Sequence, residues 1–149
     1  MTPTPPEPGV AQPRQFHIRS ATSADALPLH ALLSANGWQH RVRSVGWLAE
    51  LIAKSQRAAV AVLPEQQIVG FLRGITDELS NGYLSMLVVA EAHRRGGIGT
   101  ALVHQITSGT PEVTWVVQAG RSGAEAFFAS LRFVSAPLAM QRPRAQSVI

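Results

Sequence analysis

A mixed α/β (α+β) sandwich is the fold class this sequence predicts, with a mostly antiparallel sheet around one central parallel β-α-β unit. Three observations carry the prediction. Short apolar runs of strand length, such as Ala58–Leu63 and Met86–Ala90, alternate with stretches whose apolar residues recur every three or four positions. Gly96-Gly97-Ile98-Gly99 separates an apolar strand pattern from an amphipathic helix pattern. The resulting order reads β-α-α-β-β-β-α-β-α-β-β, and its strand–helix–strand passage calls for a parallel pair with a right-handed crossover.

Met1–Pro13 carries prolines at 3, 5, 6, 8 and 13 and almost nothing apolar, so residues 1–14 are expected to form a disordered tail. The domain then runs over 15–142, with a short tail at 143–149. Gln15–Ser20 reads as the first strand. Thr22 and Asp25 stand three apart like a capping box and open a helix through about Ala35, which Asn36-Gly37 ends. A second helix is expected over Ser44–Ser55, with Trp47, Leu48, Leu51 and Ile52 on one face. Ala58–Leu63 and Gln67–Ile75 read as a hairpin joined at Pro64–Gln66. Tyr83–Ala90 suits a strand buried on both faces.

Beyond the glycines, Ile98, Ala101, Leu102, Gln105 and Ile106 keep helical spacing to about Ser108, where Gly109-Thr110-Pro111 stops the helix. Val113–Gln118 is expected as a strand and Gly123–Leu131 as a helix. Phe133–Val134 and Leu138–Arg142 are expected as short closing strands.

Composition removes whole classes of chemistry. The chain of 149 residues has no cysteine, which excludes disulfides, thiolate metal sites and a cysteine nucleophile. Histidines stand at 17, 30, 40, 93 and 104, no two of them at the i, i+4 spacing of a helical metal site, so no metal is expected. No apolar run approaches the about 20 residues of a membrane span, and the first residues show no signal-peptide pattern. A soluble cytoplasmic protein is the expectation. The net charge of +4 is nearly all arginine, since Lys54 is the sole lysine. The arginines are scattered except for Arg94-Arg95, which fits a small polyanionic ligand better than a nucleic acid.

Three glycines in four positions at a helix start need a reason, because glycine costs about 1 kcal/mol relative to alanine inside a helix. Without a Cβ, the backbone can be approached closely. A helix start also presents N–H groups without intrahelical partners at the positive end of the dipole. Together these features suit an anion, most often phosphate. A plain strand-to-helix turn would need only one glycine. The P-loop pattern fails because no lysine followed by Ser/Thr stands after these glycines, and the G-x-G-x-x-G pattern meets Leu102 where its third glycine belongs.

What fits is [QR]-x-x-G-x-[GA], met by Arg94-Arg95-Gly96-Gly97-Ile98-Gly99 between Leu87-Val88-Val89 and Ala101-Leu102. This resembles the coenzyme A signature of the GNAT acetyltransferase superfamily, and the resemblance extends over roughly residues 15–142. It implies that family's fold, with the parallel pair at the centre of the sheet and helices on both faces. It also implies acetyl-CoA as cosubstrate and direct acetyl transfer to a primary amine without an acyl-enzyme. Backbone N–H groups from Arg95 to Thr100, with Arg94 and Arg95 adding attraction, would hold the pyrophosphate. Leu87, Val88 and Val89 would pair with the pantetheine arm, and Phe128 would pack against it. Dimers are common in the family, so a homodimer is a possible state.

The family's N-x-x-A-x-x-x-Y-x-x-x-G-F stretch is altered here: Arg121 replaces the asparagine, Phe128 the tyrosine that protonates the thiolate, and Arg132 the glycine. Relatives also place a carboxylate near the positions of Ser85 and Met86. The remaining candidates for proton transfer are Glu78 and Tyr83, against which stand a solvated turn charge and a packing role. Trp38, His40, Arg41 and Arg43 fall where the family walls its acceptor site, as expected for a small amine or a peptide. A non-catalytic acyl-CoA-binding sensor is the alternative that Phe128 and Met86 raise.

Overall fold

Strands β1 (His17–Ser20), β2 (Arg57–Val62), β3 (Ile68–Thr76), β4 (Asn81–Val89) and β5 (Thr114–Val117) form one sheet in sequential order. The computed structural model describes residues 15–145, so the proline-rich tail at 1–14 and residues 146–149 lie outside the described residues. Three pairings are antiparallel and β4–β5 is parallel. The helices are α1 (Ala26–Leu33), α2 (Val45–Lys54), α3 (Ile98–Thr107) and α4 (Ala124–Ser130). The chain divides after Gln118 into two units, the sheet with α1–α3 and a smaller one containing α4.

In the first unit, α1 and α2 cover one sheet face. Leu29, Leu33, Leu48 and Ile52 pack with Val60, Val62, Phe71, Met86 and Val88 in a single buried cluster. Full burial of one such side chain stabilises by about 1.5–3 kcal/mol. Ser44 caps α2 by accepting the Trp47 N–H on its Oγ at 3.1 Å, so the helix begins one residue after its expected start at Ser44.

Helix α3 packs on the opposite face, where alternation along β3 leaves glycine at 70 and 74. A Cβ on Gly70 would stand 2.8 Å from Ile98 Cγ2, and one on Gly74 would stand 2.6 Å from Ile106 Cγ2. Both positions must therefore lack a side chain for α3 to lie this close to the sheet.

Two expectations change. The first helix does not run unbroken to Ala35: a short 3₁₀ turn at Ser23–Asp25 leads into α1, and a wide turn at Ser34–Trp38 follows it. Asn36 (φ −122°, ψ 32°) and Gly37 (φ 91°) break helical geometry there. The closing strands at 133–134 and 138–142 do not form, so the parallel pair stands at the edge of the described sheet and not at its centre. Val134, Leu138 and Met140 are exposed, and the Phe133 N–H turns back to Phe128 O at 3.1 Å. Pro137 has no N–H to give a ladder.

In the second unit, the Phe128 ring is buried and meets Phe127 and Phe133 edge-on, at centroid distances of 4.9 and 5.2 Å.

Candidate functional site

The site begins with a mismatch between β4 and its neighbours. Against β5 the ladder runs from Asn81↔Thr114 to Leu84↔Val117 and stops, while β4 continues to Val89. Against β3, Arg73 pairs with Ser85 and Phe71 with Val88, so Met86 and Leu87 oppose the single residue Leu72. That is a β-bulge, with Met86 in the left-handed region at φ 63°. A non-glycine residue held there costs on the order of 1–3 kcal/mol, which the burial of the Met86 side chain in the core offsets. The bulge falls where the β5 ladder ends.

Beyond the bulge, backbone groups alternate sides. The Ala90 N–H bonds to Val69 O at 2.8 Å, on the β3 side. By alternation Leu87 and Val89 direct their N–H and C=O groups away from β3, toward the edge that β5 has vacated. Val88 is buried in the core, and Leu87 and Val89 are half-buried.

The chain then turns through Glu91–His93 and enters the glycine segment. Arg95 (φ 66°) and Gly97 (φ 87°) are both left-handed, and Gly97 is the residue from which α3 starts. Ala101 is the first amide to bond back, to Gly97 O at 3.0 Å. The amides of Gly97, Ile98, Gly99 and Thr100 have no hydrogen-bond acceptor among the described residues. A Cβ on Gly97 would meet nothing within 4 Å, so the space beside its Cα is open. Gly96 and Gly97 are exposed. Converging amides, the positive end of a ten-residue helix and an open approach suit a diphosphate.

The two arginines of the signature differ in what they do. Arg94 donates from Nε to Val89 O and from Nη2 to Asn36 Oδ1, both at 3.1 Å. Arg95 is exposed, with no hydrogen-bond partner among the described residues. Sequence reasoning missed Asn36 as part of this site, because 58 residues separate it from Arg94.

The structure does not bring the acid–base candidates to the amide cradle. Glu78 accepts from Arg57 Nε at 3.0 Å, and Arg57 Nη1 donates to Ile106 O and Ser108 O at 2.8 and 2.6 Å. That cluster neutralises the carbonyl end of α3, a helix about 15 Å long whose other end holds the cradle. Tyr83 lies between Ile75 and Val116 in the ladders, three residues before the bulge, and is half-buried. Asp77 is also engaged. Its carboxylate accepts the N–H groups of Leu79, Ser80 and Asn81, and those bonds hold its pKa below the ordinary carboxylate value.

Trp38, His40, Arg41 and Arg43 lie on the α1–α2 connection. Trp38 packs against the core, His40 and Arg41 are exposed, and the Arg43 guanidinium stands 5.7 Å over the Trp47 ring. Phe128 belongs to the second unit. Among the described residues, no helix is long and apolar enough to cross a membrane. No group of three metal-ligating side chains occurs among them either.

The fold has many solved counterparts. A GNAT-family acetyltransferase from Streptococcus pneumoniae superposes with a TM-score of 0.70 at 17% identity, covering 89% of this chain and 98% of that one. An aminoglycoside acetyltransferase from an uncultured soil metagenomic sample gives 0.65 at 23% identity, over 88% and 99%. A ribosomal-protein-alanine N-acetyltransferase from Brucella melitensis gives 0.66 at 15%, over 88% and 100%. At these identities the likeness is one of fold. No curated protein matches the sequence. The family model for acetyltransferases of the GNAT type matches residues 24–133, which takes in the bulged strand, the glycine segment and α4, and the chain belongs to that family.

Proposed function

We propose that this acetyltransferase moves the acetyl group of acetyl-CoA to a primary amine by direct attack, with no acyl-enzyme. The observation that carries the reading is the set of amides at 97–100, without acceptors among the described residues and beside the vacated edge of β4. The diphosphate sits on those amides, and Arg95 supplies attraction from solvent. Hydrogen bonds to charged groups contribute about 1.5–3 kcal/mol each, so three or four of them anchor the molecule. The pantetheine arm runs along Leu87–Val89 and pairs with the outward backbone groups there.

The chemistry follows from that placement. Nitrogen attacks the thioester carbonyl, a C–N bond forms, the C–S bond breaks, and the sulfur leaves as thiolate. The N–H of Leu87, directed by alternation toward the vacated edge of β4, stabilises the negative charge that develops on the carbonyl oxygen. Glu78 is committed to Arg57, so the amine proton leaves through water. A free thiol has a pKa near 8.5, so the thiolate departs without an acid at the Phe128 position. The acceptor is an amine-bearing small molecule or a peptide, and the protein works in the cytoplasm.

Titration calorimetry with acetyl-CoA, followed by thiol release across a panel of amines, tests this reading. Binding tighter than millimolar, with amine-dependent thiol release, is the expected result. Affinity no better than millimolar, about −4 kcal/mol, refutes it. Tight binding without turnover favours the acyl-CoA sensor, the second reading that Phe128 motivates.

A further inference from the structure

The Arg94 side chain is held at two points. Its Nε fixes it to the end of β4 at Val89 O, and its Nη2 fixes it to Asn36 Oδ1. Asn36 in turn donates from Nδ2 to Leu32 O at 2.8 Å, in the last turn of α1. Three hydrogen bonds thus run without a break from β4 through Arg94 into the Ser34–Trp38 turn. That turn is where the α1 backbone leaves helical geometry, at Asn36 and Gly37. The main chain of Arg94 leads directly into Arg95 and the amides of 97–100.

We infer that Asn36 is a positioning residue that, through Arg94, couples occupancy of the amide cradle to the order of the α1–α2 connection. The inference rests on the reading of that cradle as the acetyl-CoA site. An anion seated on the amides restricts the backbone from Arg95 onward, and with it the position from which the Arg94 guanidinium reaches Asn36. Opening of the 34–43 segment must break the Arg94–Asn36 bond, so whatever steadies Arg94 makes that opening rarer. The connection carries Trp38, which packs against the core that Met86 and Val88 enter, and the exposed His40 and Arg41. Loading of the cofactor is thereby transmitted to the surface next to it. By linkage, a molecule that orders the connection tightens acetyl-CoA binding by the same factor.

Hydrogen exchange of the full chain, with and without acetyl-CoA, tests this. In the natural protein acetyl-CoA should slow exchange both at 95–101 and at 34–43. Asn36→Leu removes the accepting oxygen and should keep the protection at 95–101. At 34–43 it should lose roughly tenfold in protection, the scale of one charge-assisted hydrogen bond. Asn36→Asp keeps an oxygen for Arg94 but gives up the Nδ2 bond to Leu32 O, so it should keep the response at 95–101 and more of the response at 34–43 than Asn36→Leu does. Asn36→Ala, which also lacks the accepting oxygen, should behave like Asn36→Leu and serves if that variant folds poorly. Protection at 95–101 without any at 34–43 in the natural protein overturns the inference alone, as does full protection at 34–43 in Asn36→Leu. No protection at 95–101 overturns the cofactor site itself, and the inference with it.

Discussion

Arg19 and Asp25 face each other in a two-pronged ion pair, with Nη1–Oδ2 and Nη2–Oδ1 both at 2.9 Å. The carboxylate also accepts the Thr22 N–H at 2.9 Å, so one side chain joins β1 to the turn that opens α1. The Asp25 side chain is 11% exposed and the Arg19 side chain 40%. The hydrogen bonds from Arg19, more than any other influence, hold the Asp25 carboxyl below its ordinary pKa. Asp25→Asn should therefore destabilise the fold by about 1–2 kcal/mol at pH 7, the lower part of the range for charge-assisted bonds because Arg19 is well solvated. Urea unfolding measures it.

The same pair sets an acid limb. A carboxyl whose folded pKa is depressed contributes stability that is fully present above its unfolded pKa, about 3.9, and is lost as pH falls through the lower folded value. Unfolding free energy should decline below about pH 4 in the natural protein, and less steeply in Asp25→Asn. Parallel slopes for the two proteins between pH 5 and 2 would contradict the assignment.

Gly97→Val should leave the fold standing and damage the site. The added side chain meets open space, so the cost to stability is backbone strain of about 1–3 kcal/mol from φ 87°. Acetyl-CoA affinity should fall at least tenfold, because the Cβ branch occupies the approach to the amides. An unchanged dissociation constant by calorimetry would remove the cradle from the mechanism.

Gly74→Ala should do the reverse. Its Cβ would press on Ile106 Cγ2 at 2.6 Å and on the Trp115 ring at 3.1 Å, forcing α3 from the sheet at about 1–3 kcal/mol. Thermal unfolding should show the loss. The fraction that remains folded should bind acetyl-CoA close to normally, since Gly74 lies under the far end of α3.

Arg95→Gln should weaken acetyl-CoA binding severalfold and flatten its dependence on salt while leaving the melting temperature in place. Its side chain is exposed and bonded to nothing among the described residues, so it acts on the ligand by screened attraction alone. Equal salt dependence for both proteins would place the phosphates elsewhere.

What the residues alone determined is local. The glycine segment, the apolar face of α2 and the apolar stripe of α3 each depend on neighbours within about four positions, and such patterns survive in one dimension. The bulge at Met86 left no such trace, because burial alternates along β4 without interruption from Asn81 to Val89. The false strands at 133–142 had strand-like residues, yet a strand is stable only with a partner to take its hydrogen bonds, and Phe133 bonded to Phe128 instead. Tertiary structure alone decided that Glu78 serves Arg57 at the far end of α3, and that Arg94 reaches Asn36. These pairs span 21 and 58 residues. Charge and hydrogen-bonding capacity are written into single residues, but the distances that engage them are set only when the chain is packed.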